Sequence, residues 1–501
     1  MSEETKDKEK EKLKNLQKLS ERGMNPYDSY RYDRTHTCQE IVDEFEKLQG
    51  SRAKVCGRIV AIREHGKIIF MDIKDRSGTL QVVLRKDEVG EGFENLSLLG
   101  RGDFLGVEGE VDKTSHGEKS VMAESFKILS KALRDIPPRG QKLENPEKRY
   151  RQRYLDLISN EETKEVFRKR HETTKAMKEF LHKKEFIEVE TPILQEIYGG
   201  ALARPFKTYH NTLDREFYLR ISDELYLKRL IVGDYEKVYE IVKDFRNEGI
   251  DTTHNPEFTQ MECYWAFADY KDMMGLTEEM ISYIAKEVLG TTKLEYNGKE
   301  IDLSTPWERI TMLEGLKEYA GIDADGMTRK ELAIKAENNG LEVDKNDFWG
   351  DLVALLFEEL VEEELVQPTF VYDYPVEISP LAKRKRGDDR LTERFEIFIA
   401  GDEFGNAYSE LNNPIEQKKR FEEQMKLREE GDMEAHGMDK DYIRALEYGM
   451  PPTAGLGIGI DRLVMLFTDK QSIKEVIAFP QMAEEEGEIE LRSDKVDGEN
   501  F

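Results

Sequence analysis

Arg246 lies where an arginine could bind a phosphate or a carboxylate. It follows one β-like run, Lys237–Val242, and precedes a second, Thr259–Trp265. Two strands joined by a loop of about this length form a long hairpin. Because side chains alternate along a strand, Glu262 and Tyr264 are expected on one face of the second strand. A guanidinium beside that face could bind an anionic substrate, although a cross-strand ion pair is the simpler alternative for Arg246 taken alone.

A run of alternating glycines, Gly455–Gly459, ends a predicted strand and opens a predicted helix. Glycines at this spacing allow a ligand or another backbone to approach closely. The pattern is G-x-G-x-G followed by Asp-Arg, which differs from the dinucleotide-binding pattern. Arg462, at the head of the helix, could cap or pair structurally, or it could lie on a purine or grip a phosphate.

Two glutamates could share a cation. Glu396 and Glu403 flank an Ile-Phe-Ile strand and a turn at Gly401-Asp402. Magnesium usually takes one or two protein carboxylates together with substrate phosphates. The pattern therefore predicts a magnesium site, with an ordinary surface position as the alternative for each glutamate taken alone.

The elements before these motifs indicate a small β domain. One helical stretch, Asp87–Leu99, follows the third of five predicted strands. The strands are Arg52–Arg63, Lys67–Lys74, Thr79–Arg85, Asp103–Asp112 and Lys119–Leu129. This order is typical of a five-stranded Greek-key barrel of the kind that binds oligonucleotides, and another small β domain is the alternative.

The whole chain divides into five predicted regions. They are an N-terminal helical extension at 1–50, the barrel at 51–132, a basic linker at 133–153, a catalytic domain at 154–482 with a helical insertion at about 266–368, and an acidic tail at 483–501 that we expect to be mobile. The linker has seven basic and three acidic residues from Arg134 to Arg153. It is a candidate RNA contact or a solvated hinge. For the predicted first helix, with the lysines of Lys8–Lys18, the two possibilities are a basic arm that contacts RNA and a solvated or frayed terminal helix.

Composition limits the possible partners. The 501 residues carry a formal net charge of −28, which disfavours nucleic acid unless basic residues cluster locally. No apolar run approaches the roughly 18–20 residues of a membrane span, and the first residues lack the apolar core of a secretory signal. Cys38, Cys56 and Cys263 form no CxxC pattern. A reduced, cytoplasmic compartment without structural zinc is therefore expected.

Three segments in this order resemble the signature motifs of class II aminoacyl-tRNA synthetases. They are the predicted helix 162–184 with Phe186–Pro192, the hairpin segment Phe245–Phe258, and Gly455–Arg462. With the N-terminal barrel, the chain is similar to the lysyl, aspartyl and asparaginyl subgroup over about residues 20–482.

Within that subgroup, three further segments look lysyl-type: Gly199–Phe206, Asp223–Lys228 and Gly405–Leu411. A pocket for a lysine side chain needs an anion opposite the ammonium, because an unpaired buried charge is costly. Glu410 can supply that anion, whereas an aspartate pocket would require an arginine or a lysine.

The resemblance implies an α+β multidomain protein. An N-terminal five-stranded OB-fold barrel would precede a class II synthetase catalytic domain, an antiparallel β-sheet flanked by helices. The implied activity is ATP-dependent activation of L-lysine and its transfer to the 3′ end of lysine tRNA. The implied enzyme uses Mg²⁺ held by Glu396 and Glu403, is cytoplasmic, has no membrane partner, and forms a homodimer through its first motif and Pro192.

The resemblance also implies individual roles. Gly200 and Glu224 would hold the α-amino group of lysine, and Arg246 would bridge its carboxylate to the α-phosphate of ATP, with Arg462 as the second catalytic arginine. The rest of the amino-acid pocket would be Glu262, Tyr264, Asn406, Tyr408 and Glu410. The other ATP contacts would be Glu248, His254, Asn255, Phe258 stacked on adenine, Arg462 on its opposite face, and the two magnesium glutamates.

In the barrel, the resemblance implies that Phe70 and Gln81 bind the central anticodon base. An exposed aromatic side chain commonly stacks on unpaired RNA bases. For Phe70, a core position in its strand is the alternative.

Departures from the family pattern concern fine specificity and local loops. Ala407-Tyr408 replaces a common Gly-Phe, Asn413 replaces a common aspartate, and His436-Gly437-Met438 interrupts a helical connection.

Three rival functions stay open. One is an aspartyl- or asparaginyl-type enzyme, which Glu410 disfavours. Another is a paralogue that lysylates a protein, which would usually lack the barrel. The third is a catalytically silent RNA-binding relative, which should have lost the arginines or the magnesium glutamates.

Overall fold

The computed structural model describes residues 3–138, 140–429 and 437–483. They form two compact units, one ending at Glu161 and one beginning at Glu162. His436 and, except for Ala483, the predicted acidic tail lie outside the described residues. In the described part of the chain, no helix has both the length and the apolar character needed to cross a membrane.

The first unit contains the predicted barrel. Its strands are β1 (Arg52–His65), β2 (Ile68–Lys74), β3 (Thr79–Arg85), β4 (Phe104–Lys113) and β5 (Lys119–Ser130). They close in the order β1-β2-β3-β5-β4. Its helices are α1 (Glu3–Glu21), α2 (Cys38–Asp43), α3 (Phe45–Leu48), α4 (Lys86–Val89), α5 (Pro146–Arg151) and α6 (Arg153–Ser159). The five-stranded OB-type barrel is therefore confirmed, and the helical stretch after its third strand is α4 followed by a 3-10 segment, Gly90–Leu98.

Alternation along β2 and β3 builds the barrel core. Ile69 and Met71 of β2 and Leu80 and Val82 of β3 belong to the buried cluster inside the barrel. Side chains between them point outward, since successive residues of a strand face opposite sides of the sheet. Phe70 is one of these outward residues: it is only partly buried and does not belong to the core cluster.

Much of the basic linker pairs with acidic residues of the same unit. Arg153 is completely buried and donates to Asp156 Oδ2 at 2.6 Å, and Arg149 Nε donates to Asp156 Oδ1 at 3.1 Å. Arg151 pairs with Glu147 one helical turn earlier, at 2.8 Å. These three arginines therefore have a structural role whether or not the linker also contacts RNA.

The second unit alternates helices and strands. Its strands are β6 (Ile187–Glu188), β7 (Leu194–Gln195), β8 (Lys207–His210), β9 (Arg215–Leu219), β10 (Lys237–Phe245), β11 (Glu257–Ala266), β12 (Lys293–Tyr296), β13 (Lys299–Asp302), β14 (Glu308–Thr311), β15 (Thr369–Tyr372), β16 (Arg384–Lys385), β17 (Asp388–Thr392), β18 (Arg394–Ile399), β19 (Asp402–Ser409) and β20 (Thr453–Gly459). Its helices are α7 (Glu161–Lys183), α8 (Glu224–Val232), α9 (Tyr270–Leu289), α10 (Met312–Tyr319), α11 (Arg329–Asn338), α12 (Trp349–Leu360), α13 (Pro414–Glu429), α14 (Lys440–Glu447), α15 (Ile460–Thr468) and α16 (Ile473–Val476).

An eight-stranded sheet organises this unit, in the order β14-β15-β18-β19-β20-β11-β10-β6. The strands from β15 to β10 pair antiparallel, and only the two outermost pairs are parallel. The mostly antiparallel sheet with helices that the sequence predicted is therefore confirmed.

Helices α7 and α9 supply much of the core beside the sheet. Met177 and Leu181 of α7 and Met280 and Ile284 of α9 are fully buried in one cluster with sheet residues such as Ile458. Helix α9 starts at a capping box: Asp269 accepts hydrogen bonds from the backbone N–H groups of its first turn. It ends at Gly290, whose φ of 75° is favourable for glycine. Both ends fix α9, so its apolar face stays against the sheet.

Candidate active site

A cavity of about 390 Å³ opens on one face of the large sheet. Its wall includes fourteen of the residues that the sequence singled out in this unit. They are Gly200, Glu224, Arg246, Glu248, His254, Asn255, Phe258, Glu262, Tyr264, Glu403, Asn406, Tyr408, Glu410 and Arg462. Glu396 does not line the cavity. The structure thus brings together side chains from segments more than 250 positions apart.

Two glycines of the glycine-rich strand form the floor. In the register of β11, β20 and β19, Gly457 lies between Glu262 and Asn406. Gly455 lies between Tyr264 and Tyr408 in the same way. Directly paired residues of neighbouring antiparallel strands project to the same face. The glycines therefore leave room between two rows of polar side chains, which explains the alternating pattern.

Glu410 and Glu224 form the acidic end of the cavity. Glu410 is 1% exposed, and its Oε1 has no hydrogen-bond partner among the described residues. Glu224 Oε2 accepts a hydrogen bond of 2.6 Å from the Tyr408 hydroxyl. Burial raises the pKa of Glu410 well above its usual value, and nearby Lys228 opposes that shift. A buried acceptor without a donor is a binding position for a cationic group.

Glu262 is the third pocket carboxyl, and three neutral groups donate hydrogen bonds to it, from Tyr264, Ser222 and Gln260. Tyr264 donates to Oε2 at 2.9 Å, and Ser222 donates to Oε1 at 3.1 Å. Burial and the charges of Glu224 and Asp244 raise the pKa of Glu262 to about 8. Because these neighbours disfavour its negative charge, a positive ligand would stabilise the ionised form.

Behind Glu262 lies a small group of buried carboxyls. Ligand oxygens of Asp223, Asp244 and Glu262 lie within 4.8 Å of one another. Asp244 also lies 3.4 Å from Arg220 Nε. Burial raises the pKa of Asp244 to about 7, although the positive charge of Arg246 opposes the shift. The two arginines offset part of the negative charge, and of the three carboxyls only Glu262 lines the cavity.

Arg246 projects from the end of β10 over an aromatic ring. Its guanidinium carbon lies 5.0 Å from the centre of the Phe258 ring, a cation–π contact. Its backbone N–H donates to Pro256 at 2.9 Å, which closes the hairpin base. Arg246 Nε is buried and has no partner among the described residues. The alternative of a simple cross-strand ion pair therefore leaves a donor of this arginine unused, whereas an anionic ligand would satisfy it.

The hairpin loop is held by its own polar side chains. His254 Nδ1 lies 2.8 Å from Asp251 Oδ2, and Asn255 Nδ2 donates to the Glu257 carbonyl at 2.6 Å. Although burial opposes the shift, hydrogen bonds from His254 and Thr253 lower the pKa of Asp251 to about 2. The loop is thus pre-shaped beside Phe258.

Glu403 lines the opposite end of the cavity, and two further carboxyls, Glu396 and Glu362, lie near it. Glu396 accepts from Arg394 at 2.6 Å and from the Tyr374 hydroxyl at 2.9 Å. Burial and the charge of Glu403 raise the pKa of Glu396. Burial and the charges of Glu396 and Glu403 also raise the pKa of Glu362, to about 8. Such mutual repulsion is what a divalent cation relieves, so this donor set fits Mg²⁺.

Arg462 faces the same carboxyls from the head of α15. Its Nη1 donates to the backbone carbonyl of Glu403 and lies 3.7 Å from Glu403 Oε2. The preceding residue, Asp461, is buried and receives hydrogen bonds from Arg170 and from the backbone N–H of Thr259. This pairing fixes the start of α15, so Arg462 stays at the rim of the cavity.

Comparison with known proteins decides the family. The family described as "tRNA synthetases class II (D, K and N)" matches residues 145–483, and the family "OB-fold nucleic acid binding domain" matches residues 53–129. The chain belongs to the class II tRNA synthetases of this group. It is 56% identical to the lysine–tRNA ligase of Pelotomaculum thermopropionicum, over 93% of each chain. It is 53% identical to that of Clostridium novyi, over 94% of each, and 53% identical to that of Thermoanaerobacter pseudethanolicus, over 94% of this chain and 95% of the relative.

The barrel of this synthetase presents its two predicted anticodon residues on one outer surface. Phe70 pairs with Val83 and Gln81 pairs with Asp72 across β2 and β3. Gln81 Oε1 accepts a hydrogen bond from Ser120 at 3.0 Å, which orients its amide. The ring of Phe70 packs edge-on against His65, with ring centres 6.0 Å apart.

Sequence reasoning missed several polar residues that support the synthetase cavity. Lys228 is completely buried and pairs with both Glu224 and Glu410. The Glu-to-Lys spacing of four residues on a helix was a usable signal for its first partner. Arg394 binds both Asn406 Oδ1, at 3.1 Å, and Glu396. For Arg394, no local pattern pointed to these partners.

Proposed function

We propose that this synthetase is a lysine–tRNA ligase. It activates L-lysine with ATP to lysyl-adenylate, releases pyrophosphate, and transfers the lysyl group to the 3′ end of lysine tRNA with release of AMP. The observation that carries the specificity is the buried Oε1 of Glu410, an acceptor without a donor at the acidic end of the cavity. An ammonium group satisfies it, whereas the carboxylate of aspartate or the amide oxygen of asparagine would meet negative charge there.

The amino-acid pocket continues from Glu410 toward Arg246. Gly200 and Glu224 hold the α-amino group, while Glu262, Tyr264, Asn406 and Tyr408 surround the side chain. Arg246 binds the substrate carboxylate and the α-phosphate of ATP together. Its buried and unpartnered Nε supports this role, because a guanidinium offers several donors in a fixed plane.

In the first step, an oxygen of the lysine carboxylate attacks the α-phosphorus, and the bond to the bridging oxygen of pyrophosphate breaks. Catalysis of this kind relies on positioning and on stabilising developing charge. Arg246 supplies positive charge at the α-phosphate, and Arg462 covers the face of adenine opposite Phe258. Phe258 stacks on adenine, and Glu248, His254 and Asn255 position the nucleotide.

Glu396 and Glu403 hold Mg²⁺, which when bound neutralises phosphate charge. Glu403 lines the cavity, so its carboxylate would be available to hold the metal. Arg394 and Tyr374 orient Glu396 behind it. The mutual repulsion of these carboxylates supports the assignment.

The barrel recognises the anticodon, with Phe70 stacking on the central base and Gln81 hydrogen-bonding its edge. The outward position of Phe70, outside the core cluster, supports this role. It also disfavours a paralogue that lysylates a protein. The net charge of −28 then requires that tRNA contacts be local.

The enzyme is a cytoplasmic homodimer. Several large apolar side chains after α7 are half-exposed, which supports an interface next to Pro192. They are Ile187, Ile193, Leu194, Ile197 and Leu202. Sedimentation equilibrium of the wild type and of Leu194→Arg tests the dimer: a monomeric wild type contradicts it.

ATP–pyrophosphate exchange with each of the twenty amino acids, followed by charging of total tRNA, tests the function. Lysine alone should support exchange. Glu410→Gln should raise the KM for lysine strongly, since removing one partner of a buried charge pair typically costs about 3–5 kcal/mol. Exchange driven by aspartate or asparagine, or an unchanged lysine KM in this variant, would refute the assignment.

A further inference from the structure

We propose that Lys228 is a positioning residue that sets the lysine affinity of the pocket. Its ammonium pairs with one oxygen of Glu224 and one oxygen of Glu410, the two carboxylates at the acidic end, and so holds both side chains in place. Because the roles of Glu224 and Glu410 are those of the proposed function, the inference rests on that function.

Lys228 lies behind the pocket wall. Its side chain is 0% exposed, and it does not line the cavity, whereas Glu224, Tyr408 and Glu410 do. The ammonium lies 5.5 Å from the centre of the Tyr408 ring. Lys228 therefore does not occupy the substrate position, and it can act on a ligand only through the groups that it holds.

The contacts of Lys228 divide the oxygens of the two carboxylates. Nζ pairs with Glu224 Oε1, one helical turn away on α8, and with Glu410 Oε2, just beyond the end of β19. Glu224 Oε2 accepts from Tyr408. In the described part of the chain neither oxygen of Glu410 has a hydrogen-bond partner, so Oε2 has the ion pair with Lys228 and Oε1 has no contact with a donor. Gly455 borders that free oxygen on the cavity side. The unused acceptor therefore faces the space in which the substrate binds.

Lys228 also sets the charge of the pocket end. Its ammonium offsets part of the negative charge of Glu224 and Glu410. Although burial lowers the pKa of Lys228, the charges of Glu224 and Glu410 raise it above the usual lysine value, so the residue stays cationic. Without Lys228, two buried carboxylates would lie together, and one of them would take up a proton.

A protonated Glu410 would bind an ammonium less well, which makes pH a diagnostic variable. The charged and titratable groups that face Glu410 are Lys228 and Glu224 on α8, Glu262 and Tyr264 on β11, Tyr408 on β19 and Tyr442 on α14. Among these, Lys228 is the one cation. Its loss should therefore move the titration of Glu410 to higher pH, and the KM for lysine should level off at a higher pH than in the wild type.

The test compares Lys228→Met with the wild type in ATP–pyrophosphate exchange across pH 6–9. The KM for lysine should rise on the order of 100-fold, as for other broken buried charge pairs, while the KM for ATP changes less than about twofold. Lys131→Met is the matched control: Lys131 is equally buried, and its Nζ lies 2.7 Å from buried Asp103 in the barrel. This control should melt at a lower temperature with an unchanged lysine KM.

Further variants separate the possible results. If Lys228→Met does not fold, Lys228→Gln, which keeps hydrogen-bond donors but no charge, carries the same expectation. If either variant folds and keeps the lysine KM and pH profile of the wild type, and Glu410→Gln still raises the KM, the inference about Lys228 is wrong and the proposed pocket stands. A wild-type KM in Glu410→Gln itself would instead overturn the proposed pocket, and the inference with it.

Discussion

Gly455 lies against the carboxylate of Glu410, with no space for a side chain between them. A Cβ built on Gly455 would overlap Glu410 Oε1 and approach the Tyr264 ring. Two residues along the same strand, a Cβ on Gly457 would meet its nearest neighbour, Glu262 Cγ, at 3.7 Å, which is an ordinary van der Waals contact. The pocket itself therefore requires glycine at position 455, whereas at position 457 only a closely approaching ligand would require it.

Gly455→Ala should displace Glu410 even without substrate. We expect a lower melting temperature and a lysine KM raised at least about tenfold, because the carboxylate can no longer keep its position beside Lys228. Gly457→Ala should melt within about 2 °C of the wild type, since its methyl group fits the free protein. Thermal melting and pyrophosphate exchange of both variants check this difference. Equal melting temperatures for the two variants would contradict it.

Local pattern was sufficient to predict most strands of the fold. Short β-rich runs separated by turn residues predicted all five barrel strands, and β1 exceeds the predicted strand by only two residues, since its pairing with β2 continues to His65. Likewise β10 extends three residues beyond the predicted run, because Phe245 still pairs with Glu257. Strand ends depend on the pairing partner, which one-dimensional periodicity does not contain.

Site residues could be predicted from the sequence only where they belong to the ordered motifs. Arg246, Glu262, Glu410 and Arg462 all line one cavity, as the motifs indicated. Lys228 was missed because its second partner, Glu410, lies 182 positions later in the chain. Glu362 was missed because it comes from a short 3-10 segment that faces Glu396 through the fold alone. Long-range pairs of this kind need the topology of the sheet.

Arg246→Ala should abolish adenylate formation without unfolding the protein. The guanidinium contacts the Phe258 ring but leaves Nε for a ligand, so its loss removes charge where the phosphate and carboxylate meet. We expect kcat/KM for exchange to fall at least about 1,000-fold, in the range of other lost transition-state contacts. Arg309 is a matched control: it lies 5.7 Å from the Phe370 ring, does not line the cavity, and Arg309→Ala should retain activity. Near-normal exchange in Arg246→Ala would refute its role.

Lysine binding should release a proton near neutral pH. With a pKa of about 8, the carboxyl of Glu262 is mostly protonated at pH 7, and burial is the main cause. A bound ammonium lowers that pKa, so binding expels the proton, and affinity should rise with pH and level off above about pH 8. Isothermal titration calorimetry at pH 7 in buffers of different ionisation enthalpy measures the release. Glu262→Gln should reduce it, and a wild type that releases no proton would contradict the prediction.

Phe70→Ala should separate tRNA recognition from amino-acid activation. Phe70 lies outside the barrel core, on the same outer surface as Gln81. Its replacement by alanine therefore removes a side chain that could stack on a base and few contacts of the core. Stacking on an aromatic side chain contributes about 1–3 kcal/mol per base, so kcat/KM for charging of lysine tRNA should fall roughly 5- to 150-fold while pyrophosphate exchange is unchanged. Tyr30, which is 97% exposed in the same unit, supplies the control variant Tyr30→Ala. Equal charging by Phe70→Ala and Tyr30→Ala would show that the outer surface of β2 does not read the anticodon.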